Sequence, residues 1–426
     1  MTAIHSSTAA LEDSSPAQVL GQPFSLRRGG FTIRNRLLKS AMSEVLAGPS
    51  HAPSAAHEQL YASWARGGLG LAITGNVMID RRALGEPGNV VVEDERDLEA
   101  LRRWAAAGKQ NGCRLWMQIN HPGKQSPSFL SREPVAPSAI PLGAGLERAF
   151  ATPRALAPDE IEALVARFAT TAAIAQKAGF EGVQIHGAHG YLVSQFLSPH
   201  HNRRDDAWGG TLEKRARFPL EVLAAMRRAV GDAFPIGIKI NSADFQRGGF
   251  SEEESLEVIR MLVAGGIDLI EISGGTYEAP AMTGAELRES TRQREAYFLA
   301  FAERVRAAVD VPLALTGGFR TAAGMASAVR SGAVDLVGLA RTLALEPDLP
   351  RRVLGGEAFV SRVRPLSTGV RWVDQLTALD VSWYENQLAR IGAGKPTDPG
   401  LGAWRSVATS LARLGLQATR LRRARA

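Results

Sequence analysis

Short apolar runs alternate along the chain with longer stretches in which apolar residues recur every three or four positions. Eight runs read as strands: 37–41, 71–74, 114–119, 182–186, 236–240, 269–272, 313–316 and 336–339. Each is apolar through its middle, as a strand covered on both faces must be. The stretches between them carry helical signals. Pro158, Asp159 and Glu160 open an apolar pattern through Ile161, Leu164, Val165 and Phe168, and Ala178 with Gly179 closes it. Ser251 followed by Glu254 is a capping-box pattern ahead of Leu256, Ile259 and Met261. Gly67, Gly68 and Gly70 precede a strand where a dinucleotide loop must follow one, so they read as a helix stop. Repeated strand–helix units imply a parallel sheet, and eight imply closure. The predicted fold is α/β, a single-domain (β/α)8 TIM barrel with a C-terminal helical extension.

Three segments stand outside the repeat. Residues 1–19 are rich in Ser and Ala and are expected to be loose and flexible. Residues 122–158, inside a barrel assigned to 20–350, hold 7 of the 22 prolines and predict an ordered excursion over one barrel mouth. Residues 351–426 form the extension, expected to cover the barrel or a partner subunit; a homo-oligomer is the expected assembly. Its end is basic and amphipathic: Trp404, Val407, Leu411, Leu414, Ala418 and Leu421 recur at helical spacing among six arginines, with no acid from 403 to 426. Two readings stay open there, a helix packed on the protein or a peripheral contact with a membrane surface.

Those six arginines account for all but one unit of the net charge of +7. The body is close to neutral and offers no electrostatic footprint for nucleic acid. No apolar run is long enough to span a bilayer, and residues 1–18 lack the cationic start and apolar middle of a secretory signal, so a cytoplasmic location is the default expectation. Cys113 is the only cysteine, which rules out an intramolecular disulfide, a Cys₄ zinc site and a Cys-ligated iron–sulfur cluster.

Chemistry in such barrels gathers at the carboxyl ends of the strands. Here those ends carry Ala41-Met42-Ser43, Gly75-Asn76, Gln118 to His121, His186 to Tyr191, Lys239, Ser273 to Gly275, Thr316-Gly317-Gly318 and Ala340-Arg341. Neutral donors, imidazoles and cations dominate, which suits an electron-rich, anionic guest better than a carboxylate-bound metal. Gly317, Gly318 and Arg341 sit after strands seven and eight, the usual phosphate position in barrels, although two glycines after a strand also make an ordinary tight turn. His186 and His189 can aim at one point above a ligand. Position alone leaves them open between a ligand clamp, hydrogen-bonded core histidines and an incomplete metal pair.

The residues from Ala178 through Gly-Phe-Glu-Gly-Val-Gln-Ile-His-Gly-Ala-His-Gly-Tyr to Leu192, then Gln195 to Pro199, Asn202 to Asp206 and Gly209 to Phe218, resemble the fourth-strand signature of the old yellow enzyme family. Ile33 to Ser43 resembles its first strand, Gln118 to Gln125 its third and Asp335 to Arg341 its eighth. The resemblance covers roughly residues 20–350. It implies an FMN-dependent oxidoreductase with non-covalent FMN and NADH or NADPH as reductant. By position, flavin contacts fall on Ala41, Met42, Ser43, Gly75, Gln118 and Lys239, and phosphate ligands on Gly317, Gly318, Ala340 and Arg341. Substrate activation falls on His186 and His189, and proton delivery on Tyr191. Four positions depart from the family pattern: Ser43 stands where Cys or Thr is frequent, Ala41 where proline is common, Lys239 where many members have arginine, and Ala340 in place of glycine.

The chemistry implied is reduction of the activated C=C bond of an α,β-unsaturated carbonyl or nitro compound. An NAD(P)H oxidase or a nitro-compound or quinone reductase shares the same scaffold and stays open, as does a non-catalytic flavin- or membrane-binding module. Multidomain relatives acting on dienoyl-CoA esters or amines need an iron–sulfur cluster, which one cysteine cannot ligate, and a further nucleotide domain, which 426 residues are not expected to hold.

Overall fold

The strands observed are β1 (Leu37–Lys39), β2 (Leu71–Met78), β3 (Arg114–Asn120), β4 (Val183–Gly187), β5 (Ile236–Asn241), β6 (Leu269–Ser273), β7 (Leu313–Thr316) and β8 (Leu336–Leu339). The computed structural model describes residues 13–30, 32–143, 145–279 and 295–415. The eight strands close into one parallel barrel in chain order, with β8 paired to β1. Each expected strand is present. Strand β2 runs four residues further than the apolar run because its register with β3 shifts between Ile73 and Asn76. Thr74 fills that bulge: its hydroxyl donates to Gly75 O at 2.8 Å and accepts from Gln118 N at 2.9 Å.

The apolar runs divide by the two-residue period of a strand. Outward residues such as Leu115, Met117, Ile119, Val183, Ile185, Ile236 and Ile238 pack into the large core beneath the helices. Inward residues at the strand starts, Leu38, Leu71, Ile73, Trp116, Leu269, Ala314 and Leu336, form a separate dry cluster that plugs the amino-terminal end. Trp116 is fully buried there. A Cβ on Gly182 would lie 2.4 Å from Trp116 Cε2, and one on Gly237 would lie 2.9 Å from Cζ3. The indole thus fills the volume that two neighbouring side chains would otherwise take.

The helical signals hold. Pro158–Lys177 starts with Ala157 N donating to the Glu160 carboxylate at 2.8 Å. Glu252–Ala264 has both bonds of its capping box, Glu254 N to Ser251 Oγ at 3.2 Å and Ser251 N to Glu254 Oε2 at 3.3 Å. Ala55–Arg66 stops at Gly67, and Gly68 takes a left-handed φ of 100°.

The excursion after β3 is ordered. Val135–Ala136 pairs with Arg154–Ala155, and Leu142, Leu146 and Phe150 pack with Tyr191 and Tyr277 at the carboxyl-terminal mouth. At the start of the chain, where a loose segment is expected through residue 19, Pro16–Leu20 is a helix with a Ser15–Gln18 capping box and with Val19 and Leu20 fully buried. Residues 1–12 lie outside the described ones.

Of the described residues of the apolar stripe, the tail helix buries Val407 alone. Ala403–Leu414 packs through Ser406, Val407 and Ser410, because the buried Asn386 side-chain amide donates to Ser406 O, Ser406 Oγ and Ser410 Oγ at 3.0 Å each. Trp404 and Leu411 face outward, 56% and 37% exposed. Buried polar donors must be satisfied, so the seryl face turns inward and the two large apolar residues do not. Ala418 and Leu421 lie outside the described residues. Among the described residues no helix is long and apolar enough to cross a membrane.

The packing of Trp116 yields a stability prediction. Gly182→Ala should destabilise the protein by roughly 1–3 kcal/mol, the usual cost of overpacking a filled core. Gly182→Ala/Trp116→Phe should recover part of that in urea titrations. Equal stability of Gly182→Ala and the parent protein would show that the indole does not set this position.

Candidate active site

Above the dry plug, the inward positions two residues beyond Leu38, Trp116, Leu269 and Ala314 are polar (Ser40, Gln118, Glu271 and Thr316), and β4 and β5 add Gln184 and Lys239. Gln118 Nε2 donates to Gln184 Oε1 at 2.8 Å, Gln184 Nε2 donates to Glu271 Oε2 at 2.8 Å, and Lys239 Nζ lies 2.9 Å from Glu271 Oε1. Ser40 Oγ donates to Thr316 Oγ1 at 3.1 Å across the β1–β7 side. All of these residues are buried. The strand-end reading finds hardly any acid; Glu271 is the correction. It sits inside β6, where its neighbours Ile270 and Ile272 face the helices and the carboxylate faces the axis.

A second acid, Glu44, shapes the end of β1. Its carboxylate accepts from Tyr61 Oη, from Lys39 Nζ at 3.2 Å and from Gly75 N at 3.1 Å. This cluster lies outside the barrel wall, against the helix Ala55–Arg66. Burial lowers Lys39 to about 8 despite Glu44 beside it. The cluster joins two expected cofactor positions: the Gly75 N–H is taken by Glu44 and Tyr61, and a Cβ on Gly75 would lie 2.5 Å from Met42 O. The neighbouring Ser43 Oγ is buried with no hydrogen-bond partner among the described residues. A polar atom orphaned in this way fits a bound polar group.

A cavity of ≈ 320 Å³ opens at the carboxyl ends of β7, β8 and β1. Ala41, His189, Lys239, Gly317, Gly318, Ala340 and Arg341 all line it. Gly317 and Gly318 have φ of 110° and 86°, a backbone open to glycine. A Cβ on Gly318 would lie 2.7 Å from the Tyr297 ring. That floor of glycine backbone, walled by Arg341, is a cradle a phosphate fits. Strand-end reasoning misses Tyr297, Arg320, Arg364, Asp380 and Tyr384, which also line the cavity. They come from the segment after β6, from beyond the β7 turn and from the extension, so no strand end marks them.

The second half of the site is the turn after β4. His186 and His189 meet edge to face at 5.2 Å, and His186 meets Tyr191 at 4.7 Å. His189 has a φ of 61°, uncommon for a residue with a Cβ. Side chains hold both its backbone groups: its N–H donates to Asn241 Oδ1 at 3.1 Å, and its carbonyl accepts from Gln125 Nε2 at 3.0 Å. Strain pinned in this way is frequent at functional sites. Burial, then His189 and Lys239, push His186 well below its usual range, so it is neutral at neutral pH. Its Nδ1 faces Ala188 N at 3.4 Å, which leaves the proton on Nε2. Among the described residues no three His, Cys, Asp or Glu side chains gather as a metal site, so the imidazole pair lacks a third ligand.

Of the expected residues, seven line the cavity. His186 and Tyr191 join it through His189, whereas Met42, Ser43, Gly75 and Gln118 are not part of its lining. Residues 280–294, which follow β6, lie outside the described ones.

The sequence profile of the NADH:flavin oxidoreductase / NADH oxidase family matches residues 20–358. The chain is 40% identical over 352 residues to the NADH-dependent flavin oxidoreductase iliE of Hypocrea jecorina (strain QM6a), covering 77% of this chain and 87% of that protein. It is 39% identical over 356 residues to iliE of Neonectria sp. (strain DH2), covering 78% of this chain but only 46% of that protein. The solved old yellow enzyme homologue from Zymomonas mobilis superposes with a TM-score of 0.68 at 26% identity, covering 81% of this chain and 94% of that one. A barrel with a glycine-and-arginine cradle, a buried lysine and a His–His–Tyr turn therefore has its place: the chain belongs to the NADH:flavin oxidoreductase / NADH oxidase family, the old yellow enzymes, whose cofactors are FMN and NAD(P)H.

Proposed function

We propose that the protein reduces the activated C=C bond of α,β-unsaturated carbonyl or nitro compounds, with NADH or NADPH as reductant. One observation carries this reading: His189 lines the glycine–arginine cavity and also belongs to the cluster of His186 and Tyr191. A cofactor seated in the cavity and a substrate under the imidazoles would therefore be neighbours.

Gly317, Gly318, Ala340 and Arg341 would hold the FMN phosphate without a covalent bond; the only cysteine, Cys113, is buried at the opposite end of the barrel. Ala41, Met42, Ser43, Gly75, Gln118 and Lys239 would surround the ring. FMN, when bound, supplies a two-electron carrier that takes hydride from the nicotinamide and passes it to the β-carbon. The His186 Nε2–H donates to the substrate carbonyl or nitro oxygen. His189 can donate from Nδ1 when the Ser273 hydroxyl, 2.8 Å from Nε2, gives its proton there. Two fixed donors on that oxygen draw charge toward it and make the β-carbon electrophilic. Tyr191 protonates the α-carbon as an enolate or nitronate forms; a phenol with an ordinary pKa near 10 is a suitably weak acid. Lys239 supplies the positive charge that opposes negative charge gathering in the cavity. The two iliE relatives are NADH-dependent flavin oxidoreductases, which favours NADH as the donor.

Tyr191→Phe tests the reading. Enone turnover should fall by about 10²–10⁴, the span for a positioned general acid. Quinone turnover should persist, because both protons then go to oxygen atoms that water can serve. Retained enone turnover would remove Tyr191 from proton delivery.

Lys239→Met should lower the FMN midpoint potential in dye-linked titrations, because negative charge in the cavity loses its cation. Lys239→Met/Glu271→Gln should regain part of the loss, since the carboxylate left behind is then neutral. A potential unchanged in both variants would separate Lys239 from the cofactor.

A further inference from the structure

Tyr191 has a neighbour that the mechanism does not use. Tyr277 enters from the loop after β6, and its hydroxyl lies 2.9 Å from that of Tyr191. The rings meet edge to face at 5.7 Å, both are buried, and Phe150 packs on Tyr277. The loop is tied down on both sides of Tyr277. Thr276 forms a backbone bridge with His189 and closes a turn through its N–H to Ala279 O at 2.9 Å. Glu278 accepts from Gly143 N at 2.6 Å and lies 3.4 Å from His201 Nε2. Lys124 Nζ in turn reaches His201 Nδ1 at 2.9 Å and the carbonyls of Ile140 and Pro141 at 3.3 and 3.2 Å. The loops after β3, β4 and β6 thus fix where the Tyr277 hydroxyl points.

A phenol that delivers its proton is left with charge on its oxygen, which a buried site tolerates only when a donor faces it. Hydrogen bonds to a charged oxygen are about twice as strong as those between neutral groups. We propose that Tyr277 is a positioning residue for proton delivery: its hydroxyl donates to the Tyr191 oxygen, sets the direction of that hydroxyl and faces the charge left when the proton moves. The proton that reaches the α-carbon is the one on Tyr191, and water replaces it once product has left. Tyr277 keeps its own. The inference rests on the reading of Tyr191 as the acid.

Tyr277→Phe keeps the ring and its packing, so the holoenzyme should retain FMN. Reoxidation by a cyclic enone in rapid mixing should slow by about 10- to 100-fold, the scale of one hydrogen bond to a charged group. Reoxidation by a quinone should be unchanged. The alkaline limb of the enone rate should move to higher pH, because the Tyr191 oxygen loses the donor that Tyr277 supplies and holds its proton more tightly. In a Tyr191→Phe background the second substitution should cost nothing further. An undiminished enone rate, an unmoved alkaline limb, equal losses with both acceptors, or a full additional loss in that background would overturn the proposal. An intact enone rate in Tyr191→Phe alone would overturn the acid assignment itself, and with it the proposal.

Discussion

A lysine and a glutamate held dry on the axis of the barrel set the terms for the rest of the structure. Removing either charge from water is costly, and the attraction between them offsets that only when the geometry is good and the remaining polar atoms are bonded. Here Lys239 and Glu271 are 2.9 Å apart, Gln184 donates to the far oxygen of the carboxylate, and Gln118 donates to Gln184 in turn. The polar layer is therefore continuous across four strands, with a fully apolar plug beneath it. Lys239 lines the cavity wall, so the pair presents its positive end toward the space where a cofactor would sit.

The same division governs the mouth. Strand ends supply fixed donors, and the loops supply what holds them. His189 sits in a left-handed backbone because Asn241 and Gln125 grip it from β5 and from the excursion. Glu44 grips Gly75 and Tyr61 behind the wall. In both cases a strained or crowded position is maintained by a buried side chain from another element, as preorganised sites require.

The barrel was legible in the sequence because buried parallel strands leave continuous apolar runs, and all eight stand where those runs do. The polar layer was legible only in part. Lys239 and Gln118 stand out as polar residues at strand ends, whereas Glu271 is one acid within an apolar strand, and its inward direction follows only from closure and register. Tyr277, Tyr297 and Arg364 reach the site from loops and from the extension, where no period fixes direction. In the tail helix, spacing shows which residues share a face, but the buried amide of Asn386 decides which face turns inward.

In the function proposed, Lys239, and not a second proton, opposes the charge of the reduced cofactor. The pH dependence of the FMN midpoint potential, from mildly acidic to neutral pH, tests it most directly. Uptake of one proton with two electrons gives a slope of about 30 mV per pH unit, and uptake of two gives about 59 mV. If the lysine supplies the charge, the slope is the smaller one; a slope near the larger would mean that a second proton takes its place, and would contradict the role given to Lys239.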